Sequence, residues 1–292
     1  MSQDRVLVTG STGTIGTEVI KALVADGVPV RAAYNNPRSQ AILEALGVTE
    51  TVQLNMDNPA SLDQAFRGVS KAFLLVPFVP QLVELGKTLI DAAKQSSVEY
   101  VVRLSAIGAS PEATLLTGYW HGQLDTYLNE SGLANTILQP NFFMQNFISF
   151  YSETIKRQNA IYLPYNDARV SWIDARDIGT VAATCLQNSA THTGKTYVLT
   201  GSEAPTTAEI AELFSQTLGR PIAYHDIPES TAIDAMKAQG TPEIIVQALA
   251  ELNTLAKSGQ CSLLSPDVET VTGTKAIPFQ QFIADHRSVW MS

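Results

Sequence analysis

The chain passes almost at once into Val6-Leu7-Val8-Thr9-Gly10-Ser11-Thr12-Gly13-Thr14-Ile15-Gly16, an aliphatic run followed by three glycines spaced G-x-x-G-x-x-G. A helix-compatible run, Thr17 to Ala25, comes next. In such a motif the first glycine permits a tight turn after a strand, the second lets backbone N–H groups approach phosphates, and the third lets helix and strand pack closely. The position between strand and helix favours this use over an ordinary glycine-rich turn. The motif therefore predicts a loop that holds a dinucleotide diphosphate, with these contact residues: Gly10, Ser11, Thr12, Gly13, Thr14, Ile15 and Gly16.

Composition narrows the possible functions. The chain has 292 residues, and its 19 Lys and Arg against 28 Asp and Glu give a formal charge of −9. An acidic chain is unsuited to sequence-independent nucleic-acid binding, which needs a basic surface. We expect no metal, because the histidines and the two cysteines, Cys185 and Cys261, show no metal-ligand spacing. We see no signal peptide and no apolar run of membrane-spanning length, and we predict a cytoplasmic protein that does not bind membranes.

From residue 6 to about residue 140, strand-like and helix-like segments alternate. Short, continuously apolar strands between helices indicate a parallel sheet covered on both faces. The predicted fold class is α/β, a Rossmann doubly wound parallel sheet with a smaller helix-rich C-terminal lobe. The predicted strands are Val6–Thr9, Pro29–Ala33, Thr51–Leu54, Ala72–Val76, Tyr100–Leu104 and Thr136–Gln139, and the predicted helices are Ile15–Ala25, Arg38–Leu46, Ser61–Phe66, Gln81–Gln95 and Gly118–Glu130.

The pattern changes after Pro140. Phe142–Asn159 is typical of an aromatic-rich helix and Arg169–Ile173 of a strand, while a capping box from Thr206 to Glu209 opens a helix over Ile210–Leu218. We predict two domains on this basis. Residues 1-150 form a dinucleotide-binding Rossmann domain to which 174-200 return, and residues 151-173 and 201-292 form a smaller substrate-binding lobe.

The end of the predicted second strand bears on the choice of nucleotide. NAD-specific sites normally carry Asp or Glu about 20 residues past the glycines, where the acid binds the ribose 2′-hydroxyl. Here the region from Arg31 to Arg38 reads RAAYNNPR and has no acid. Asn35 and Arg38 could contact a 2′-phosphate together with the hydroxyl of Thr12, although Arg38 could equally be a solvated surface charge. We therefore expect NADP(H) to be preferred, with NAD(H) possible.

The ends of the later strands supply further candidates. Asp57 follows the third strand and could accept from the adenine amino group, or could be a cap or turn residue before Asn58-Pro59. The segment Val76-Pro77-Phe78 could border the nicotinamide ribose or simply line the crevice. Ser105 follows the fifth strand, at the carboxyl edge of the sheet where ligands bind. We predict cofactor contacts for all of these residues: Asp57, Val76, Pro77, Phe78 and Ser105.

His121 is the candidate catalytic residue. The Tyr-x-x-x-Lys pair of ordinary short-chain dehydrogenases is absent, and Tyr119 is followed at that distance by Gln123. His121 precedes Asp125 by four residues, which puts both on one helix face. A carboxylate neighbour would raise the imidazole pKa and suit His121 to acid catalysis or a ribose contact. The alternative is a histidine that is merely satisfied at a helix surface.

The segment Pro140-Asn141-Phe142-Phe143 follows the sixth strand and combines a rigid turn with aromatic bulk. It could form a wall over the nicotinamide and a flat apolar substrate, or it could be part of the core. We predict cofactor contacts for Pro140, Asn141 and Phe142. We predict that the substrate pocket is formed by Phe78, His121, Asn141 and Phe143.

Taken together, these motifs resemble the NmrA-like group of atypical short-chain dehydrogenases/reductases, nearest in pattern to the type 2 NAD(P)H:quinone oxidoreductases and triphenylmethane reductases. The resemblance covers nearly the whole chain. The segments that carry it are the glycine loop, Ser61–Ser70, His121 to Asp125 with Ser131-Gly132-Leu133, Thr136 to Phe143, Gly194 to Tyr197 and Thr206–Gly219. Two residues depart from the family pattern, because Asn35 and Gln139 stand where relatives often have Arg.

The resemblance implies an NAD(P)H-dependent oxidoreductase that passes hydride to a quinone-like or other conjugated small acceptor. The partner that it implies for this protein is thus a small aromatic or quinone-like molecule. It also implies that catalysis can proceed without a dedicated acid, because solvent can supply the proton. The alternative is an NADP(H)-binding redox sensor of the NmrA type, which has a protein partner and no turnover. An extended-type epimerase or dehydratase is a third possibility, against which the missing tyrosine counts.

Overall fold

A computed structural model describes residues 5–291. Its strands are β1 (Val6–Val8), β2 (Val30–Tyr34), β3 (Glu50–Gln53), β4 (Lys71–Leu74), β5 (Tyr100–Leu104), β6 (Ala134–Pro140), β7 (Ala160–Leu163), β8 (Lys195–Leu199) and β9 (Ala223–Asp226). Its helices are α1 (Thr14–Ala25), α2 (Gln40–Glu44), α3 (Pro59–Phe66), α4 (Leu82–Gln95), α5 (Leu116–Glu130), α6 (Ser152–Gln158), α7 (Ala175–Gln187), α8 (Ser189–His192), α9 (Thr207–Leu218), α10 (Glu229–Ala238), α11 (Glu243–Lys257), α12 (Asp267–Thr272), α13 (Phe279–Asp285) and α14 (Arg287–Met291).

The chain divides into two compact units. The first unit contains residues 1–114, 118–139 and 175–198, and the second contains residues 115–117, 140–174 and 199–292. The first unit therefore holds the glycine loop and nearly all of one large sheet. The strands β6 and β8 each end one residue inside the second unit, at Pro140 and Leu199.

A seven-stranded sheet in the order β3-β2-β1-β4-β5-β6-β8 organises the first unit. The pairings of β1 with β2 and β4, of β2 with β3, and of β5 with β4 and β6 are all parallel. The strand order reverses at β1, which leaves the end of β1 beside the crossover to β4. In an open α/β sheet, ligands bind outside the carboxyl ends of the strands at such a switch point. The predicted Rossmann-type α/β fold is confirmed.

The strands of the first unit are buried because helices cover their apolar side chains. Val6, Leu7 and Val8 of β1 are at most 2% exposed, and one face of the sheet packs on apolar residues of α3, α4 and α5. On α4 the buried positions include Leu82, Leu89, Ile90 and Ala93, at helical spacing. At about 25 cal/mol per Å² of buried apolar surface, such burial is the main stabilising contribution to the fold.

The second unit has its own aromatic core. The strands β7 and β9 form a parallel two-stranded sheet, and α9 opens with the predicted capping box, in which Thr206 and Glu209 bond reciprocally. The ring of Phe147 lies 5.1 Å from that of Phe279 at 89°, and the rings of Phe214 and Trp290 are 5.0 Å apart at 89°. Such edge-to-face contacts add stabilisation to simple burial.

One sequence prediction in the second unit was correct in part, and another was wrong. The predicted helix over Phe142–Asn159 is confirmed over most of its length, as a π-helix at Phe147–Tyr151 followed by α6. Its first residues are not helical, because Phe142 and Met144 exchange backbone hydrogen bonds with Ile173. Arg169–Ile173 was predicted as a strand, but among residues 5–291 it makes only isolated bridges. Its backbone N–H groups donate to three separate segments, at Pro205, Cys261 and Phe142, so no continuous ladder forms.

Both cysteine thiols are free and buried. Burial raises the pKa of Cys185 and of Cys261 to about 12 in each case. Among residues 5–291, no helix has the length and apolar character needed to cross a membrane.

Candidate active site

The glycine loop joins β1 to α1 in the way that its sequence predicts. Gly10 has φ +64, and a Cβ at this position would lie 2.6 Å from Leu75 Cδ2. A Cβ on Gly16 would lie 2.2 Å from the carbonyl oxygen of Gly10, so only glycine allows α1 to start this close to the loop. The Gly13 N–H donates to that same carbonyl at 3.0 Å. The first and third glycines are thus required by backbone conformation and by close approach.

Hydroxyl groups brace the loop from inside. Thr9 Oγ1 donates to the Leu75 carbonyl at 2.9 Å and accepts from the Leu75 N–H at 2.8 Å. Ser11 Oγ is fully buried and donates to the Val8 carbonyl at 2.7 Å. The Ser11 hydroxyl is therefore already engaged, and a cofactor contact of Ser11 stays a prediction.

The N-terminus of α1 is free of side-chain caps. The N-cap residue, Gly13, offers no side-chain hydrogen bond, and the first turn contains no acidic residue. Thr12, Gly13 and Thr14 are exposed, whereas Ile15 is buried against the core. A helix of 12 residues with an open, uncharged first turn presents backbone N–H donors and a positive dipole end. This donor set fits the diphosphate of a dinucleotide.

After β2, the chain presents one cation and no acid. Asn35 and Arg38 are exposed, and Asn36 Oδ1 accepts from the Arg38 N–H at 3.0 Å, which fixes the turn that carries Arg38. Within residues 5–291, no acceptor pairs with the Arg38 guanidinium. An unengaged guanidinium of this kind suits a 2′-phosphate, for which Arg is the preferred partner.

The structure has Asp57 in a turn before Asn58-Pro59, which is one of the alternatives that the sequence left open. The cap of α3 is Asn58, whose Oδ1 accepts from the Ala60 N–H at 3.0 Å, so Asp57 is not the capping residue. The Asp57 N–H donates to Asn55 Oδ1 at 3.0 Å, and Asp57 is exposed. Its contact with an adenine amino group stays a prediction.

An aromatic pair lies beyond β4. The segment Val76-Pro77-Phe78 follows this strand, and Phe78 is 36% exposed. The Phe78 ring lies 6.0 Å from that of Trp120 on α5, at an interplanar angle of 56°. Trp120 was not predicted from the sequence, because nothing local indicates that its ring meets a loop more than forty residues earlier.

A largely buried polar cluster joins β5, β6 and α5. We call it the Arg103 cluster, and its members are Arg103, Ser105, His121, Asp125 and Gln139. Ser105 Oγ donates to Asp125 Oδ2 at 2.6 Å, and Gln139 Nε2 donates to the same oxygen at 3.3 Å. Arg103 Nη1 donates to Asp125 Oδ1, and Arg103 Nη2 lies 3.0 Å from His121 Nδ1. The structure thus brings together the predicted residues Ser105 and His121.

The environment of His121 corrects the sequence-based expectation. The Asp125 carboxylate is paired with Arg103 and Ser105, so it is not the hydrogen-bond partner of the His121 imidazole. Burial, with the charge of Arg103 as the second cause, lowers the pKa of His121 to about 3. The prediction of a raised pKa was therefore wrong. The helix spacing correctly placed His121 and Asp125 near each other, but the arginine that lies between them comes from β5.

In the second unit, the segment from Pro140 to Phe143 is held by Asn141. The Asn141 side-chain amide is 2% exposed and donates to Ser171 Oγ at 2.7 Å and to the Cys261 carbonyl at 2.8 Å. Its oxygen accepts from the Phe142 N–H at 2.9 Å. Pro140 is buried, and Phe142 and Phe143 are partly buried. The cofactor and substrate contacts of these four residues stay predictions.

The sequence model of the NmrA-like family matches residues 2–276. The NAD(P)H azoreductase of Xenophilus azovorans is 36% identical over 98% of this chain and 99% of that protein. The (4-alkanoyl-5-oxo-2,5-dihydrofuran-3-yl)methyl phosphate reductase of Streptomyces griseus subsp. griseus is 31% identical over 96% of this chain and 97% of that protein.

Solved structures share this architecture. The NADPH complex of the NADPH-dependent quinone oxidoreductase QOR2 from Escherichia coli has a TM-score of 0.84, covering 97% of this chain and 99% of that one. The two sequences are 24% identical, so this similarity shows a common fold.

Proposed function

Because the chain belongs to the NmrA-like family and is an NAD(P)H-dependent oxidoreductase, we propose that it transfers hydride to a quinone-like or other conjugated small acceptor. The family predicted from the sequence is confirmed by the family model, which spans most of the chain, and by the azoreductase relative at 36% identity. Azo compounds and quinones have in common a conjugated system that accepts a hydride. The chemistry of the relatives thus supports the acceptor class rather than one compound.

The open N-terminus of α1 is the observation that carries this proposal. Its backbone donors, with the steric requirement for glycine at Gly10 and Gly16, fit a diphosphate. The exposed Thr12 and Thr14 can add hydroxyl donors to the phosphate oxygens. When bound, the reduced nicotinamide supplies the hydride. The protein contributes binding and orientation.

The charge pattern after β2 supports a preference for NADP(H). Arg38 is exposed and has no partner within residues 5–291, and Asn35 lies three residues before it. An acid would be required to select the ribose 2′-hydroxyl of NAD(H), and this turn contains none. The Arg38 guanidinium is suited to a bidentate contact with a 2′-phosphate.

For the acceptor, we propose a contact with the aromatic pair of Phe78 and Trp120. Phe78 follows β4 and keeps about a third of its surface exposed, so its ring can pack against a flat conjugated molecule. An electron-poor acceptor held against the nicotinamide gains rate from proximity and orientation. The absence of a Tyr-x-x-x-Lys pair fits this class of reaction, because water can supply the proton.

The experiment is steady-state NADPH oxidation by the purified full-length protein, with a panel of azo dyes and quinones as acceptors. We expect turnover with at least one member of the panel, and slower turnover with NADH than with NADPH. The competing hypothesis of a redox sensor predicts micromolar NADP(H) binding, on the order of ordinary cofactor affinities, without oxidation by any acceptor. Binding without turnover would therefore overturn the proposed function and favour the sensor.

A further inference from the structure

The contact between Arg103 and His121 fixes the position of the imidazole proton. Arginine has five N–H donors and no acceptor, so Arg103 Nη2 must be the donor in the 3.0 Å contact with His121 Nδ1. Nδ1 must then carry a lone pair rather than a proton. A neutral imidazole carries one proton in total, and this proton is therefore on Nε2.

The imidazole also has reason to remain neutral. The charged groups beside it are Arg103, from β5, and Asp125, on its own helix; Gln139 and Ser105, from β6 and the end of β5, are uncharged. Asp125 is engaged by Arg103 and Ser105, so the cation is the charge that His121 meets. A positive charge on the imidazole would repel the Arg103 guanidinium. The proton added to Nδ1 would also remove the acceptor of the hydrogen bond from Arg103. The lowered pKa agrees with this geometry.

The Nε2 side of the ring is available to a ligand. Within residues 5–291, no side chain or carbonyl accepts from His121 Nε2, and this atom is not one of the buried polar atoms that lack a partner. His121 is partly exposed, although its neighbours Ser105 and Asp125 are buried. The Arg103 cluster therefore offers one N–H donor to a ligand, His121 Nε2–H. The hydrogen bond from Arg103 to Nδ1 fixes the orientation of the imidazole ring.

We propose that His121 acts as a neutral hydrogen-bond donor, through Nε2–H, to the oxygen or nitrogen atom of the conjugated acceptor on which negative charge develops. Arg103 is the positioning residue that sets the tautomer. This inference rests on the proposed function and adds the acceptor contact to it. A ligand that suits the donor is a quinone, an enone or an azo compound, since each places a lone pair on the atom that becomes anionic.

The chemistry balances without proton transfer from the histidine. The acceptor gains the two electrons and the proton of a hydride and becomes an anion, and water supplies the second proton that completes the reduction. The Nε2–H bond stays intact throughout, because loss of its proton would produce an imidazolate. A preorganised donor of this kind stabilises developing charge and contributes about 10²- to 10³-fold to kcat when it is well placed.

Three proteins test the assignment: wild type, His121→Phe and His121→Gln. Phe retains a flat ring without a donor, whereas the Gln amide can place an N–H near the position of Nε2 and does not titrate. We expect His121→Phe to lower kcat with a quinone about 100-fold while changing the Kd for NADPH less than about twofold. We expect His121→Gln to retain kcat within about tenfold of wild type. An unchanged kcat in His121→Phe would overturn the inference while leaving the proposed function standing.

The pH profile and the tautomer provide readouts that a structural role would not move. With a neutral donor, the kcat of wild type carries no histidine titration between about pH 5 and about pH 8. If the wild-type kcat falls with rising pH, and this pH dependence is lost in His121→Gln, the histidine acts as an imidazolium acid instead. In ¹⁵N NMR of the wild type, one of the four histidine signals, identified by its loss in His121→Gln, should show protonated Nε2 and bare Nδ1 near neutral pH. A protonated Nδ1 overturns the assignment whether or not the protein turns over.

Discussion

Ser105 Oγ donates a 2.6 Å hydrogen bond to Asp125 Oδ2, joining the residue after β5 to the middle of α5. Both residues are buried, at 4% and 8% exposure. The second carboxylate oxygen of Asp125 accepts from Arg103, so the carboxylate holds two elements of the first unit together. The carboxyl end of β5 is therefore joined to α5 by an ionic contact as well as by apolar packing.

Asp125→Asn should strongly destabilise the protein. The variant keeps the size of the side chain but leaves the buried Arg103 without its counter-charge, which costs about 3–5 kcal/mol. Urea denaturation of the variant and wild type measures the loss. The matched control is Asp91→Asn on α4, where a partly buried aspartate accepts from the Tyr127 hydroxyl and the expected cost is about 1 kcal/mol. Equal losses in the two variants would contradict the role given to Asp125.

Gly13→Asp should weaken binding of NADPH more than Gly13→Asn does. The backbone of Gly13, with φ −84 and ψ 170, accepts either residue, and both are good N-cap residues, so α1 should fold in both variants. Only Asp places a negative charge beside the predicted diphosphate, which should raise the Kd by about tenfold or more at low salt relative to Asn. Calorimetric titration measures both. Identical affinities would place the diphosphate away from this helix end.

Arg38→Ala should reduce the preference for NADPH over NADH. A charge-assisted contact with the 2′-phosphate is worth about 1.5–3 kcal/mol, so the Kd for NADPH should rise at least about tenfold while that for NADH changes little. Arg157→Ala is the control, because its side chain is 80% exposed in the second unit. If the Kd for NADPH is the same in Arg38→Ala and wild type, Arg38 is the solvated surface charge that the sequence left as the alternative.

Phe78→Ala should raise the KM for aromatic acceptors. The change removes the ring that faces Trp120, and the lost aromatic contact should raise the KM about two- to tenfold with little effect on stability. Phe150→Ala removes a phenylalanine that is 70% exposed in the second unit and should leave the KM unchanged. Steady-state kinetics with one quinone and one azo dye distinguish the two variants. A raised KM in Phe150→Ala but not in Phe78→Ala would show that the acceptor binds elsewhere.

Stability should decline in mild acid, with His121 as one cause. The unfolded chain protonates this imidazole near about pH 6.5, whereas in the folded protein its lowered pKa is about 3. Between these values the unfolded chain binds the extra proton, so the free energy of unfolding falls with falling pH by up to about 1.4 kcal/mol per pH unit. In His121→Gln this slope should be shallower. Above about pH 7, the free energies of unfolding of the variant and of wild type should change with pH in parallel. Equal slopes below about pH 6 would show that the imidazole protonates in the folded state.

Local sequence patterns predicted the first unit well. The strand Tyr100–Leu104 was predicted with the bounds that the structure has, and the predicted helix from Ile15 begins one residue earlier, at Thr14. Both follow from short-range causes: continuous apolar runs in buried parallel strands, and a glycine motif whose steric requirements are local. The capping box of α9 was predicted for the same reason.

Contacts between distant segments were not accessible from the sequence. His121 and Asp125 were correctly placed on one helix face, yet the residue that determines the state of both is Arg103, 18 residues before His121. One signal was present, because an arginine inside the buried-type run Tyr100–Leu104 requires a polar partner. The strand predicted over Arg169–Ile173 failed similarly, since its backbone donors find partners in three separate segments.

The burial of Cys185 and Cys261 bears on how the protein would tolerate the quinone acceptors that we propose for it. Quinones alkylate thiolates by conjugate addition, and a protein that concentrates such electrophiles risks inactivating itself. With a pKa of about 12 and no exposed sulfur, neither thiol forms an appreciable nucleophile at neutral pH. The folded enzyme should therefore survive prolonged exposure to quinones and alkylating reagents without a protective reductant.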